Sequence, residues 1–257
     1  MRADQLLLAR GLAETRSQAQ RVIASGVQWL GPAGWRRVVK NGEELPEGAE
    51  LQVLDTSEQR YVSRGGLKLE GALAHCNLDV SGMTCLDVGQ STGGFTDALL
   101  QRGAARVVGV DVGHGQLHPR LRGHPAVQAF EGINARELTV ADLGGAMPPG
   151  GFDLLVADLS FISITKVVAS WPGLLRDGAS VVSLVKPQFE VGKQSIGKGG
   201  LVKSEAAVAQ VQADVRRAFE EASLLVVDYF ASAITGGDGN REFFIRAVRP
   251  AERTQHE

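Results

Sequence analysis

At 257 residues, with 44% hydrophobic content and 32 glycines, the chain suits one large and one small globular α/β domain with many tight turns. A net charge of −2 carries no overall polyanion-binding signature, and two cysteines, Cys76 and Cys85, exclude a disulfide framework and point to a reducing, cytoplasmic setting. No apolar run approaches the ~20 residues of a membrane span, and Arg10, Glu14 and Arg16 interrupt any signal-peptide core, so no stable membrane association is expected.

Charge is uneven along the chain. From Met1 to Lys40, seven basic residues (Arg2, Arg10, Arg16, Arg21, Arg36, Arg37, Lys40) stand against two acids, Asp4 and Glu14. Such a face is either a binding footprint or simply solvated surface. Residues 4–10 read as a short amphipathic helix with Leu6, Leu7 and Leu8 inward, stopped by Gly11. Thr15 and Gln18 have capping-box spacing for a second helix, on which Ala19, Val22 and Ile23 form an apolar face and Gln18, Arg21 and Ser25 a polar one. Gly26 ends that helix. Short strands follow at 27–30, 36–39 and 50–53, separated by Gly31-Pro32 and Asn41-Gly42 turns. This unit resembles the S4 RNA-binding domain through Arg2, Leu6-Leu7, Gly11-Leu12, Thr15 to Ala19, Ile23 to Val27, and Lys40. The resemblance implies that Arg2, Arg16, Arg21 and Lys40 contact RNA phosphates. It departs at Gly31-Pro32-Ala33-Gly34-Trp35, a longer turn than the family's.

Residues 56–59 read as a linker, giving expected domains at 1–59 and 60–250 and a polar tail at 251–257. The second domain opens with Arg60 to Leu69 and a helix carrying Leu67, Leu69, Leu73 and Ala74. Lys68 on that helix reads, by spacing alone, as solvated. Strands are expected at 84–88, 106–110, 127–130, 152–158, 180–186, 224–230 and 241–247. Helices are expected after Gly94, Ala135 and Ser163, and at 204–222. The alternation predicts a parallel sheet covered on both faces. The last strand follows too short a loop for a parallel crossover and should run antiparallel. That is a seven-stranded, mostly parallel sheet with one antiparallel strand, the methyltransferase variant of the Rossmann-like fold.

The chemistry starts at Leu86 to Phe95. An apolar run ends in Asp87, and Gly89, Gly93 and Gly94 let the backbone approach a ligand ahead of a helix N-terminus. Ser91 breaks a G-x-G-x-x-G pattern, and no Gly-Lys-Ser/Thr follows. A dinucleotide or triphosphate fits less well than a ligand with a carboxylate, such as S-adenosyl-L-methionine. Asp87, Gly89, Ser91, Thr92, Gly93, Gly94 and Phe95 are the expected cofactor residues, with Asp111 on the ribose hydroxyls. Asp158 to Phe161 follow the fourth strand, where an acid can orient a reacting group and Phe161 can stack a base. An ordinary helix cap with a core phenylalanine is the plainer reading. Lys186 ends the fifth strand and should pair with Asp158. The glycine- and lysine-rich segment 192–203 suggests a basic lid. Glu242 enters the last strand beside Phe243 and needs a cation.

Residues 60–248 resemble the TlyA (hemolysin-A-like) family within the FtsJ-like RNA ribose methyltransferases. The resemblance rests on Tyr61 to Leu69, Leu86 to Gly89 with Ser91 to Asp97, Gly109 to Gly113 with Gly115 to Leu117, Asp158 to Ser163, Lys186 to Glu190, and Gly239-Asn240 with Glu242-Phe243. It implies a Lys68–Asp158–Lys186–Glu242 catalytic set without a metal, and methyl transfer to a ribose 2′-hydroxyl of ribosomal RNA, on a cytidine. Lys186 is then the expected base. Gln90 departs from the family's small residue and is expected to narrow the cofactor pocket or add an amide contact there. Two alternatives stand beside this reading: a hemolysin-like membrane-active protein, and an RNA-binding module with an inactive methyltransferase domain.

Overall fold

The computed structural model describes residues 1–54, 60–192, 195–197, 200–202, 204–237 and 239–251. The expected linker at 56–59, Lys193, Lys198, Gly199 and Lys203 of the expected lid, Asp238, and the tail beyond residue 251 lie outside them. Contacts divide the chain into two compact units, Met1–Arg64 and Gly65–Glu257.

In the first unit, α1 (Ala3–Ala9) and α2 (Arg16–Gly26) lie with a three-stranded antiparallel sheet. The Thr15 side chain caps α2 by accepting from the Gln18 backbone N–H. Gln18 returns its amide oxygen to the Glu14 N–H, one residue short of a full capping box. The strands are β1 (Val27–Gly31), β2 (Gly34–Arg37) and β3 (Leu51–Val53), ordered β2-β1-β3. Leu6 and Leu7 from α1 meet Ala19, Val22 and Ile23 from α2 in the core, as the apolar spacing predicts.

The second unit is built on a seven-stranded sheet. Its elements are α3 (Gly65–His75), β4 (Thr84–Val88), α4 (Gly94–Gln101), β5 (Arg106–Asp111), β6 (Val127–Glu131), α5 (Val140–Leu143), β7 (Phe152–Ala157), β8 (Leu175–Val185), α6 (Pro187–Glu190), α7 (Glu205–Glu221), β9 (Leu225–Ala231) and β10 (Phe243–Val248). The strand order is β6-β5-β4-β7-β8-β10-β9, with β10 antiparallel to both of its neighbours and the remaining pairs parallel. The central strands β4, β5 and β7 are buried along most of their length, as strands covered on both faces must be. On α7, Val211, Val215 and Phe219 repeat every fourth residue and form the buried stripe, with Phe219 edge-on to the fully buried Trp171. Helix α3 buries Leu69, Ala72 and Leu73, whereas Ala74 is exposed. Its end is fixed by His75, which stacks on Phe230 and bonds Asp228 at 3.0 Å.

One expected helix does not form. After Ser163 the chain makes three single 3₁₀ turns, Ile164–Lys166, Val168–Ser170 and Pro172–Leu174. Ile164, Thr165, Val167 and Val168 are β-branched, and Pro172-Gly173 prevents continuation, so an α-helix has little to favour it. Strand β8 accordingly starts at Leu175, earlier than expected.

Candidate active site

Every expected catalytic side chain lies in the second unit, and the sheet register explains how they meet. Phe243 pairs with Val185, which brings Glu242 alongside Lys186 at the end of β8. Asp158 follows β7, the parallel neighbour of β8 on its other side. Two ion pairs result. Lys186 Nζ lies 2.5 Å from Asp158 Oδ1 and donates to Ser160 Oγ at 2.8 Å. Lys68 Nζ, on the buried face of α3, lies 2.5 Å from Glu242 Oε2. Side-chain exposure is 11% and 23% for Lys186 and Asp158, and 10% and 3% for Lys68 and Glu242, so Lys68 is not the solvated residue its spacing suggests. Buried ion pairs repay their desolvation poorly, and two of them at the carboxyl end of a parallel sheet point to chemistry rather than stability.

Beside Asp158 a cavity of about 470 Å³ opens, walled by Gly89, Ser91, Asp111, Asn134, Asp158 and Phe161 among others. It sits where the strand order reverses, between the loops after β4, β5 and β7. Gly89 has φ +84°, and a Cβ there would lie 2.6 Å from the Asp158 carbonyl oxygen, so glycine is required for the two loops to approach. Ser91 takes up a left-handed φ of 47° without being glycine. Its N–H donates to Asp111 Oδ2 at 2.7 Å, and the Gly113 N–H donates to Asp111 Oδ1 at 2.7 Å. Asp111 thereby ties two loops together and still has lone pairs for a ligand's hydroxyls.

The remaining expected cofactor residues do not line this cavity. Asp87 is 1% exposed and accepts from Thr96 Oγ1 at 2.7 Å. Burial pushes its carboxyl up to about 7, against the pull of the Thr96 hydroxyl, with Asp158 and Asp111 adding repulsion. Phe95 is buried and stacks on Phe244. Gly93 and Gly94 are buried at the start of α4, and Thr92 is exposed, its carbonyl accepting from the His118 N–H. Gln90 is a correction: its amide does not enter the cavity. It turns inward, 6% exposed, and donates Nε2–H to Thr96 Oγ1 at 2.9 Å, completing a buried Gln90–Thr96–Asp87 chain beneath the loop. It lies over Gly109, where a Cβ would come within 2.0 Å of the amide carbon. Ser160 and Asn134 carry no comparable signal in sequence, since only the fold brings them to Lys186 and to the cavity.

Phe161 is not a core residue. It is 91% exposed on the cavity rim, with a left-handed φ of 65° and its ring 5.1 Å from that of Phe189. An exposed aromatic in a strained conformation is a mark of function rather than stability. In the expected lid, residues 200–202 are tied down by buried Asn240, which donates to the Gly200 carbonyl and accepts from the Val202 N–H, both at 3.0 Å.

Of the four basic residues expected to meet RNA in the first unit, two hold the fold as well. Arg2 and Arg16 lie 2.9 and 3.1 Å from the carboxylate of fully buried Asp4. The Arg2 hydrogen bond, then that of Arg16, holds the Asp4 carboxyl well below the usual carboxylate range despite its burial. Arg21 is half-buried on α2, and Lys40 is exposed after β2.

A Rossmann-like sheet, a glycine loop joined to an acid at the end of the next strand, and two lysine–carboxylate pairs gathered at the adjoining strand ends and α3 together define a methyltransferase. The FtsJ-like methyltransferase family model matches residues 61–249, and the chain belongs to that family. It is 44% identical over 246 residues to the 16S/23S rRNA (cytidine-2′-O)-methyltransferase TlyA of Mycobacterium tuberculosis, covering 95% of this chain and 88% of that protein. It is 32% identical over 248 residues to Hemolysin A of Brachyspira hyodysenteriae, covering 96% and 100%. A solved Streptococcus thermophilus structure carrying a hemolysin name superposes with a TM-score of 0.74 at 39% identity, covering 97% of this chain and 88% of that one.

Proposed function

We propose that the protein methylates a ribose 2′-hydroxyl of ribosomal RNA, on a cytidine, using S-adenosyl-L-methionine. The observation that carries this reading is the Lys186–Asp158–Ser160 cluster at the wall of the cavity that Gly89, Ser91 and Asp111 form. Those residues fit the cofactor: Asp111 can take ribose hydroxyls, and the glycine loop admits the backbone of an amino-acid moiety. Bound there, S-adenosyl-L-methionine supplies an electrophilic methyl group on a sulfonium.

The chain's own residues do the rest. A ribose hydroxyl is a weak nucleophile and must lose its proton as the new bond forms. Lys186 first releases its ammonium proton to solvent and then takes the ribose proton at Nζ, held in place by Asp158 and Ser160. Lys68 and Glu242 fix the far side of the site and orient the ribose, so that alignment supplies much of the rate. Phe161 stacks the base of the target nucleotide. The first unit acts as an S4 domain that holds the RNA through Arg16, Arg21, Lys40 and the outer edge of Arg2, and the enzyme works in the cytoplasm, where free Cys76 and Cys85 stay reduced.

Mapping 2′-O-methyl sites in ribosomal RNA from cells with and without the protein tests this reading, and identical maps defeat it. The hemolysin names of two relatives favour a second reading, membrane lysis. Among the described residues no helix is long and apolar enough to cross a membrane. Leakage from liposomes at nanomolar protein would support lysis, and its absence leaves methyl transfer.

A further inference from the structure

The β1–β2 hairpin has no part in the methyl transfer itself, yet one of its faces is built for a ligand. Register sorts its side chains. Gln28 pairs with Arg37 on one side and Gln52 on the other, and Leu30 pairs with Trp35. The Gln28 amide donates to Gln52 Oε1 at 2.7 Å, so these residues share a face. Val27, Trp29, Leu51 and Val53 point the other way and pack on the core. The first face is therefore the open one, and Leu30 and Trp35 are each 43% exposed on it. Paired large apolar side chains left in water on a regular sheet mark an interaction site.

Charge identifies the occupant. Between Thr15 and Gly42 the sequence holds Arg16, Arg21, Arg36, Arg37 and Lys40 and no aspartate or glutamate. Arg37 follows Trp35 on the open face, and its guanidinium reaches Gly26 at the end of α2, 3.8 Å from where a Cβ would sit. Arg36 lies over the Trp29 ring, 5.9 Å from its centroid, and is exposed. Arg37 thus links the platform to the end of the basic helix, while the exposed Glu50, whose carbonyl accepts from the Leu30 N–H, lies at its far edge. Two apolar side chains fall far short of the roughly 800 Å² per partner that a stable protein interface buries. A nucleobase needs only one aromatic face and a nearby cation.

Resting on the RNA substrate proposed above, we infer that this face is a stacking platform for one unpaired nucleotide, with the Trp35 indole against the base and Arg37 on the adjoining phosphate. The first unit then selects RNA with a looped-out or single-stranded base next to its paired stem, rather than any duplex. Stacking is tolerant of base identity, so the platform reads strandedness and not sequence.

The test uses the full chain and two RNAs of equal length and charge, a stem with an unpaired loop and a blunt duplex. The wild type binds the looped RNA more tightly. Trp35→Ala weakens looped binding on the order of 5- to 150-fold and leaves duplex binding unchanged, while Trp35→Phe keeps most of the preference. Unchanged looped binding in Trp35→Ala, or an equal loss on both RNAs, overturns the platform. If Trp35→Ala does not fold, ultraviolet cross-linking of the wild type decides: cross-links on the peptide holding Trp35 support the platform, and cross-links confined to α2 overturn it. Wild-type protein that binds neither RNA refutes the RNA-binding role of the whole first unit, whereas binding indifferent to Trp35 removes the platform alone.

Discussion

Both units bury a carboxylate and match it with cations, but they do so differently. In the first, Asp4 is fully buried while its partners Arg2 and Arg16 are 38% and 59% exposed. The acid is a hidden anchor, and its cations keep one edge in water. In the second, both lysines are largely buried, Lys186 more so than its partner Asp158 and Lys68 slightly less so than Glu242. The Asp4 arrangement orders α1 against α2 and leaves cationic surface over for a polyanion. The lysine pairs remove both charges from water at a site that gains little stability from it, which is worthwhile only where a reaction needs an oriented amine.

The largest expected effect tests the functional side of that contrast. Lys186→Ala lowers kcat by roughly 10²- to 10⁴-fold, the usual range for a lost acid–base group, while calorimetry finds cofactor affinity nearly intact. Turnover at the wild-type level would sink the assignment. Lys68→Ala should behave alike in single-turnover assays. Asp4→Asn sharpens the other side: it leaves kcat on saturating RNA intact and lowers the melting temperature of the first unit by roughly 5–15 °C, since hydrogen bonds to two guanidinium groups are weakened together. Gly109→Ala drives a methyl group into the Gln90 amide and costs about 1–3 kcal/mol by chemical denaturation. Combining it with Gln90→Ala recovers part of that loss, and strict additivity of the two would show that the contact is not felt.

The subtlest expectation concerns pH, where two buried aspartates act with opposite signs. The folded Asp4 carboxyl is held below its ordinary 3.8, so its stabilisation is complete above that pH and is lost as pH falls through the folded value. The folded Asp87 carboxyl is raised to about 7, so between about 4 and 7 the folded state keeps a proton the unfolded chain has lost. Its contribution therefore weakens as pH rises across that window. Melting curves from pH 4 to 8 should show Asp87→Asn flattening this decline and Asp4→Asn leaving it in place.

Much of this architecture is legible in the chain itself. Runs such as Thr84–Val88 and Val127–Glu131 are read to within a residue, because apolar runs bounded by turns have few alternatives. Lys186 and Asp158 are read as neighbours because both end parallel strands. What escapes is whatever packing decides. Nothing local to Gln90 says that its amide turns inward to Thr96, since that depends on the space above Gly109, a strand away. Arg2 and Arg16 read as free phosphate ligands because Asp4's burial shows only in three dimensions. The segment after Ser163 fails as a helix because its β-branched residues and Pro172-Gly173 disfavour one, which position within an alternating α/β pattern does not show.

One consequence of strand order concerns synthesis. The strand that carries Glu242 into place is β10, the last in the chain, yet it belongs between β8 and β9. During translation β8 and β9 must wait with open edges that invite wrong pairing. The Lys68–Glu242 ion pair stays unmade until the last tenth of the chain has been synthesised, so a premature stop anywhere ahead of Glu242 leaves Lys68 without its carboxylate and the sheet without its β8–β10–β9 join.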